Sequence, residues 1–157
     1  MFGIKPKKKR SLINSLSSVY KASDKLYKQH IKTYNNMTLA QVDKLSGEDF
    51  ELLLASLFTQ MGYTVRTTPT TGDYGADLLL FNGTSLTVVQ AKRYSKNVGV
   101  DAVQEISAAR PIYNAPYAMV VSNAEFTKQA KTLAQANNVQ LIGRAQLADL
   151  MRQNFSR

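Results

Sequence analysis

Three residues of this chain are of types that can do hydrolytic chemistry and stand at a spacing that lets them meet: Asp77, Gln90 and Lys92. The segments that carry them, residues 75–81 and 84–92, read as strands joined by Asn82-Gly83, a strong short hairpin signal. A two-residue loop there pairs Phe81 with Thr84 and sets Asp77 opposite Val88. Opposite residues share a face, and so do side chains two apart along a strand. Asp77, Val88, Gln90 and Lys92 therefore project from one face, with Asp77 and Gln90 as diagonal neighbours roughly 7 to 8 Å apart at Cα. A carboxylate and an amide oxygen suit a hard cation, Mg2+ or Mn2+ in its place, which keeps several waters and binds a substrate phosphate. A lysine beside them can orient a metal-bound water or neutralise charge building on a phosphate. A three-residue loop would move the register by one and part them. Ordinary strands also carry one Asp and end in Lys at the solvent border, so spacing alone does not choose.

The elements that must position these residues are legible around them. Phe50, Leu53, Leu54, Leu57, Phe58 and Met61 fall on one helix face, with Ser46 as N-cap and Gly62 as the stop. Residues 63–68 read as a β-branched strand ended by Pro69. The two hairpin strands are apolar on both faces, Leu79, Leu86 and Val88 on one and Leu78, Leu80 and Val89 on the other. Such a sheet needs helices on both sides. Beyond a polar loop at 94–99, Val103, Ile106 and Arg110 mark a helix ending at Pro111. Residues 117–121 read as a strand, Phe126, Ala130 and Leu133 as a helix, 139–142 as a strand, and Leu147 and Leu150 as a last helix. The order α-β-β-β-α-β-α-β-α predicts an α/β three-layer sandwich with a mixed central sheet.

Charge divides the chain into a basic arm, residues 1–37, partly helical or disordered, and a domain over 38–157. Net charge is +9, yet residues 1–34 hold nine Lys/Arg, including Lys7, Lys8, Lys9 and Arg10, against Asp24 alone. The body is nearly neutral. A polyanion such as nucleic acid is the expected partner of the arm, with an anionic membrane second. Leu12, Leu16, Val19, Tyr20, Leu26, Tyr27 and Ile31 suggest a helix over 11–33 with a thin apolar stripe. With no cysteine there is no thiolate nucleophile and no Cys-ligated zinc. His30, the sole histidine, lies in the arm and takes no role. No apolar run spans a bilayer, and Ser11 to Ser23 offers no continuous signal-peptide core, so the expected location is cytoplasmic.

The run Gly47-Glu48-Asp49-Phe50-Glu51, then Gly62-Tyr63-Thr64-Val65, Thr71-Gly72-Asp73-Tyr74-Gly75-Ala76-Asp77 and Val89-Gln90-Ala91-Lys92-Arg93-Tyr94 resembles the catalytic domain of Mrr-type restriction endonucleases. These belong to the PD-(D/E)XK nuclease superfamily. The likeness continues through Val98-Gly99-Val100, Val103-Gln104-Glu105-Ile106 and Ser122-Asn123-Ala124-Glu125-Phe126-Thr127, over roughly residues 45–151. It implies an α-β-β-β-α-β restriction-endonuclease-like core with C-terminal α-β-α elements, and divalent-metal hydrolysis of DNA phosphodiesters. The implied catalytic positions are Asp77, Gln90 and Lys92, with Glu51 as an accessory acid. Asp77, Gln90 and the Ala91 carbonyl would hold the metal. Gln90 stands where the superfamily more often has glutamate, as in Mrr-like members. The site loses one negative charge, which Glu51 or Asp73 would have to make good. Arg66, Arg93 and Lys96 can line a phosphate groove, Gln104 can meet substrate or a metal-bound water, and Tyr74 and Tyr94 can stack on a base. DNA is the expected partner, a homodimer is open, and neither a small-molecule cofactor nor a membrane is expected. Two rivals remain: a nucleic-acid-binding module that keeps the nuclease fold without activity, and an adaptor docking on membrane or protein through the arm.

Overall fold

The structure, a computed structural model, describes residues 33–68 and 74–155. Helix caps set the first elements. Thr38 starts α1 (Leu39–Val42) with a capping box, its hydroxyl accepting from Gln41 N–H while the Gln41 side chain accepts from Thr38 N–H. Ser46 starts α2 (Gly47–Gln60) by accepting from Asp49 N–H at 3.0 Å, and Glu48 and Asp49 sit where the helix dipole favours negative charge. Phe50, Leu53, Leu54, Leu57 and Phe58 are all buried, so the helical stripe falls where the sequence predicts it. Among the described residues no helix is long and apolar enough to cross a membrane.

The strands β1 (Thr64–Thr67), β2 (Leu78–Asn82) and β3 (Ser85–Lys92) form an antiparallel meander. The chain then crosses through α3 (Val100–Ile112) to β4 (Tyr117–Ser122), through α4 (Lys128–Ala136) to β5 (Val139–Ile142), and ends in α5 (Arg144–Phe155). β3, β4 and β5 are parallel, so the five-stranded sheet is mixed, in the order β1-β2-β3-β4-β5. Its two faces separate as the alternation of apolar residues requires. Leu78, Leu80, Val89 and Val121 pack with Phe50, Leu54 and Phe58 of α2 and Leu147 of α5. Leu79, Leu86, Val88 and Val120 pack with Val103 and Ile106 of α3 and Ala130 of α4. This is the expected three-layer α/β sandwich, with α1 added in front.

Several expectations need correction. The hairpin loop is Gly83-Thr84, not Asn82-Gly83: Asn82 pairs with Ser85, and Phe81 with Leu86 instead of Thr84. A type I′ turn at Asn-Gly needs positive φ at both residues, and only Gly83 (φ +62) has it. With glycine first in the loop, as in a type II′ turn, the pairing slides by two residues. An even slip keeps every side chain on its face. The paired ladder ends at Leu78 with Val89, so Asp77 lies just past its end and not opposite Val88. β2 begins at Leu78 and not at 75, because Tyr74 (φ +56) and Gly75 (φ +90) form a turn. α3 passes through Pro111 to Ile112, and Arg110 lies off its buried stripe, donating to Asn137 O and Asn138 O. Thr127 caps α4, leaving Phe126 in the preceding loop as a buried bridge to Val98. The packed body also starts before residue 38. Tyr34 is buried in the α2–α5 core and Met37 packs against it. Lys7, Lys8, Lys9, Arg10, most of the expected 11–33 helix, Gly72 and Asp73 lie outside the described residues.

Candidate active site

The loop before β2 is pressed onto α3. A side-chain carbon at Gly75 would lie 3.0 Å from Glu105 O, so only glycine fits this approach. Two residues on, Asp77 N–H donates to Val89 O at 2.7 Å, although Val89 is already the partner of Leu78. Two successive residues of one strand thus meet one of the other, the geometry of a β-bulge, which re-aims a side chain at the end of a ladder. The Asp77 Oδ2 accepts from Ala91 N–H at 2.8 Å and from Gln90 Nε2 at 3.2 Å. Asp77 and Gln90 are 9% and 5% exposed. Gln90 Oε1 is buried and has no hydrogen-bond partner. Ala91 faces Asp77 with its N–H, where the resemblance implies a ligand at its carbonyl.

Lys92 follows two residues after Gln90 and donates to Glu105 Oε2 at 3.2 Å, with its side chain 17% exposed. Burial works against its charge, but the hydrogen bond and charge of Glu105, with Tyr94 and Asp77, outweigh this and hold its pKa above the usual lysine value. Glu105 is the residue sequence reasoning passed over in favour of Gln104, which is exposed on α3. A signal was there: Ala102, Glu105, Ile106 and Ala109 fall at i, i+3, i+4 and i+7, so this acid, though exposed, lies at the edge of the stripe that α3 turns to the sheet. Glu51 is half-buried on α2, on the layer opposite α3. Glu105 is an acid in contact with Lys92.

The donor set fits a hard divalent ion. Among the described residues no three His, Cys, Asp or Glu side chains cluster as a metal site. A cation here would rest on one carboxylate and on neutral oxygens, of which Gln90 Oε1 is a buried acceptor with nothing to accept. That matches the way Mg2+ is usually held, by one or two carboxylates with water and phosphate filling the rest.

The residues expected to line a phosphate groove divide. Arg66 is exposed, with its guanidinium 5.2 Å from the centre of the Phe81 ring. Lys96 is exposed. Arg93 is committed elsewhere: its Nη1 donates to Asp43 O at 3.0 Å, and its Nε is buried without a partner. This belongs to a polar network that holds the chain just beyond Lys92. Asn123, 2% exposed, accepts from Tyr94 N–H at 2.8 Å and donates to Tyr94 O at 2.9 Å and to Asp43 Oδ1 at 2.8 Å. Arg144 grips the same Asp43 carboxylate with both terminal nitrogens, at 2.7 and 3.1 Å. Ser122 Oγ donates to Lys92 O at 2.6 Å.

Comparison with known proteins bears on this site. A family model described as restriction endonuclease, Mrr_cat, matches residues 42–151. The solved MspJI restriction endonuclease in complex with a 27-mer oligonucleotide is similar at a TM-score of 0.51 and 19% identity, covering 99% of this chain and 36% of that one. A protein of unknown function, AF1548, is similar at a TM-score of 0.50 and 15% identity, over 58% of this chain and 54% of that one. The chain thus spans little more than half of one and about a third of the other. These likenesses show the fold. No curated protein matches in sequence.

Proposed function

The chain belongs to the restriction endonuclease family Mrr_cat, and from its site we propose that it is a divalent-metal-dependent endodeoxyribonuclease hydrolysing DNA phosphodiester bonds. The observation that carries this reading is the Asp77–Gln90 pair, bonded at 3.2 Å, with the buried Gln90 Oε1 left without a partner and Lys92 beside it. Asp77 and Gln90 would hold the ion, with the Ala91 carbonyl as a third oxygen and Glu51 as an accessory acid. When bound, Mg2+ or Mn2+ supplies Lewis acidity and a water that ionises more readily.

The chain's own groups supply the rest. Against burial, the Glu105 hydrogen bond and the charges of Glu105 and Asp77 favour the charged form of Lys92. In that state it serves as a cation toward the phosphate and orients the attacking water. Taking up a phosphate oxygen would compete with its bond to Glu105. Arg66, Lys96 and Gln104, with the arm cations Lys7, Lys8, Lys9 and Arg10, would draw the DNA backbone. The arm carries nearly all of the net charge of +9 and would supply most of the long-range, salt-sensitive attraction.

The single carboxylate favours one rival, a DNA-binding module of this fold that does not cleave. Supercoiled plasmid separates the two. The nuclease reading expects nicked and linear products with Mg2+ or Mn2+ and none when the ion is chelated. Retained DNA binding with no cleavage in either ion would establish the binding module instead.

A further inference from the structure

Among the described residues the large apolar side chains left exposed are Tyr74, Tyr94, Ile112 and Tyr117. Ile112 and Tyr117 stand at the α3–β4 connection. Tyr117 is level with Thr87 and Ser122 with Lys92, so that pair lies at the far end of the sheet from the site. Tyr74 and Tyr94 bracket the site itself, three residues before Asp77 and two after Lys92. They are 58% and 43% exposed.

Neither tyrosine is placed by looseness. The N–H and carbonyl of Tyr94 are both held by the buried carboxamide of Asn123, and that carboxamide is anchored on Asp43. The backbone beneath the ring is thus pinned while the ring stands partly open to solvent. The Lys92 ammonium lies 5.7 Å from the ring centre, within cation–π range, so the ring adjoins the cation meant for the phosphate. Tyr74 holds φ +56, which a bulky residue seldom adopts, and strain of this kind gathers at functional sites. Its neighbour Gly75 is packed on Glu105, and Glu105 holds Lys92. One run of contacts therefore links Tyr74, through Gly75, Glu105 and Lys92, to Tyr94.

Within a duplex both faces of each base are covered by neighbouring bases. An aromatic ring beside the scissile phosphate gains stacking only on a base that has left the stack, and it does so with any base, since each has a π-face. We infer that Tyr94 and Tyr74 are stacking platforms for unpaired nucleobases, so that the site takes single-stranded or locally opened DNA in preference to intact duplex. This rests on the nuclease reading of the site.

The test uses the full chain and a short oligonucleotide carrying one 2-aminopurine, single-stranded or annealed, with the metal chelated so that only binding is read. The single strand should bind with quenched 2-aminopurine emission. Tyr94→Ala should lose the quench and bind the single strand about tenfold more weakly, with duplex affinity changed less than about twofold, while Tyr94→Phe keeps quench and affinity. Circular dichroism checks folding, and if the alanine variant is unfolded, Tyr94→Leu carries the same expectation. An alanine or leucine variant with unchanged single-strand affinity and quench, or one that weakens both forms equally, overturns the inference. Cleavage of the two forms with Mg2+ separates the two readings. Quenching without cleavage of either form overturns the nuclease and leaves the stacking. Cleavage of duplex at least as fast as single strand, with the Tyr94 variants indifferent, overturns the stacking and leaves the nuclease.

Discussion

Where β3 and β4 end, Asp43, Asn123 and Arg144 form one polar cluster, and Asp77, Gln90 and Lys92 form another close by. In the first, the Asn123 carboxamide spends both donor and acceptor on Tyr94 and Asp43, and Arg144 closes on the Asp43 carboxylate in a bidentate pair. The Arg93 Nε is the gap at its margin. In the second, Gln90 Oε1 is buried with no partner, and the Lys92 ammonium faces an acid from another layer. A satisfied buried network fixes one arrangement of the chain. A buried acceptor left unmade costs about 1 to 3 kcal/mol, which an incoming cation would remove. The first cluster holds the strand ends in place; the second is the one prepared for a ligand.

Lys92→Ala breaks this contrast with a large effect. It should slow plasmid cleavage about 100- to 1,000-fold while barely moving the melting temperature, since its partner Glu105 is exposed. Cleavage at the wild-type rate would remove Lys92 from the site. Gln90→Ala sharpens the contrast at the metal. The Mg2+ concentration for half-maximal cleavage should rise about tenfold, and it should fall for Gln90→Glu, which adds a charge. An unchanged Mg2+ requirement in the alanine variant would make Gln90 purely structural.

The smallest effect belongs to the other cluster. Arg144→Ala should cost about 1 kcal/mol by chemical denaturation, because both partners are more than a third exposed and solvent screens the pair, and cleavage should stay within about twofold. Its pH signature has a definite sign. The hydrogen bond from Arg144, then that from Asn123, lowers the Asp43 pKa below 3.8 against the effect of burial. The stability this adds is full above the unfolded value and lost as pH falls through the lowered folded one. Unfolding midpoints between pH 6 and 2 should therefore fall less steeply in Arg144→Ala than in the wild-type chain. Equal slopes would mean that the pair contributes nothing at acid pH.

The element order, both sheet faces and the shared side of Asp77, Gln90 and Lys92 could be read from the sequence because period-two alternation survives an even slip of register. The register itself could not, since the choice between Asn82-Gly83 and Gly83-Thr84 rests on backbone dihedrals that composition does not reveal. Glu105 was missed because its contact with Lys92 joins a helix to a strand, and only its place at the edge of the apolar stripe of α3 hinted at it. Asp43 and Arg144 lie 101 residues apart and leave no local pattern. Arg93 looked like a phosphate ligand for the same reason: nothing nearby in the sequence announces the Asp43 carbonyl that takes its guanidinium.

The central claim is that Asp77 serves the chemistry and not the fold, and Asp77→Asn tests it with the shape kept and the charge removed. Plasmid cleavage with Mg2+ and thermal melting would be measured on the same preparation, beside the wild-type chain. The account predicts cleavage reduced at least about 1,000-fold with a melting temperature within a few degrees of wild type, since the asparagine oxygen can still accept from Ala91 N–H. Cleavage by Asp77→Asn at the wild-type rate and with the wild-type Mg2+ requirement would contradict it.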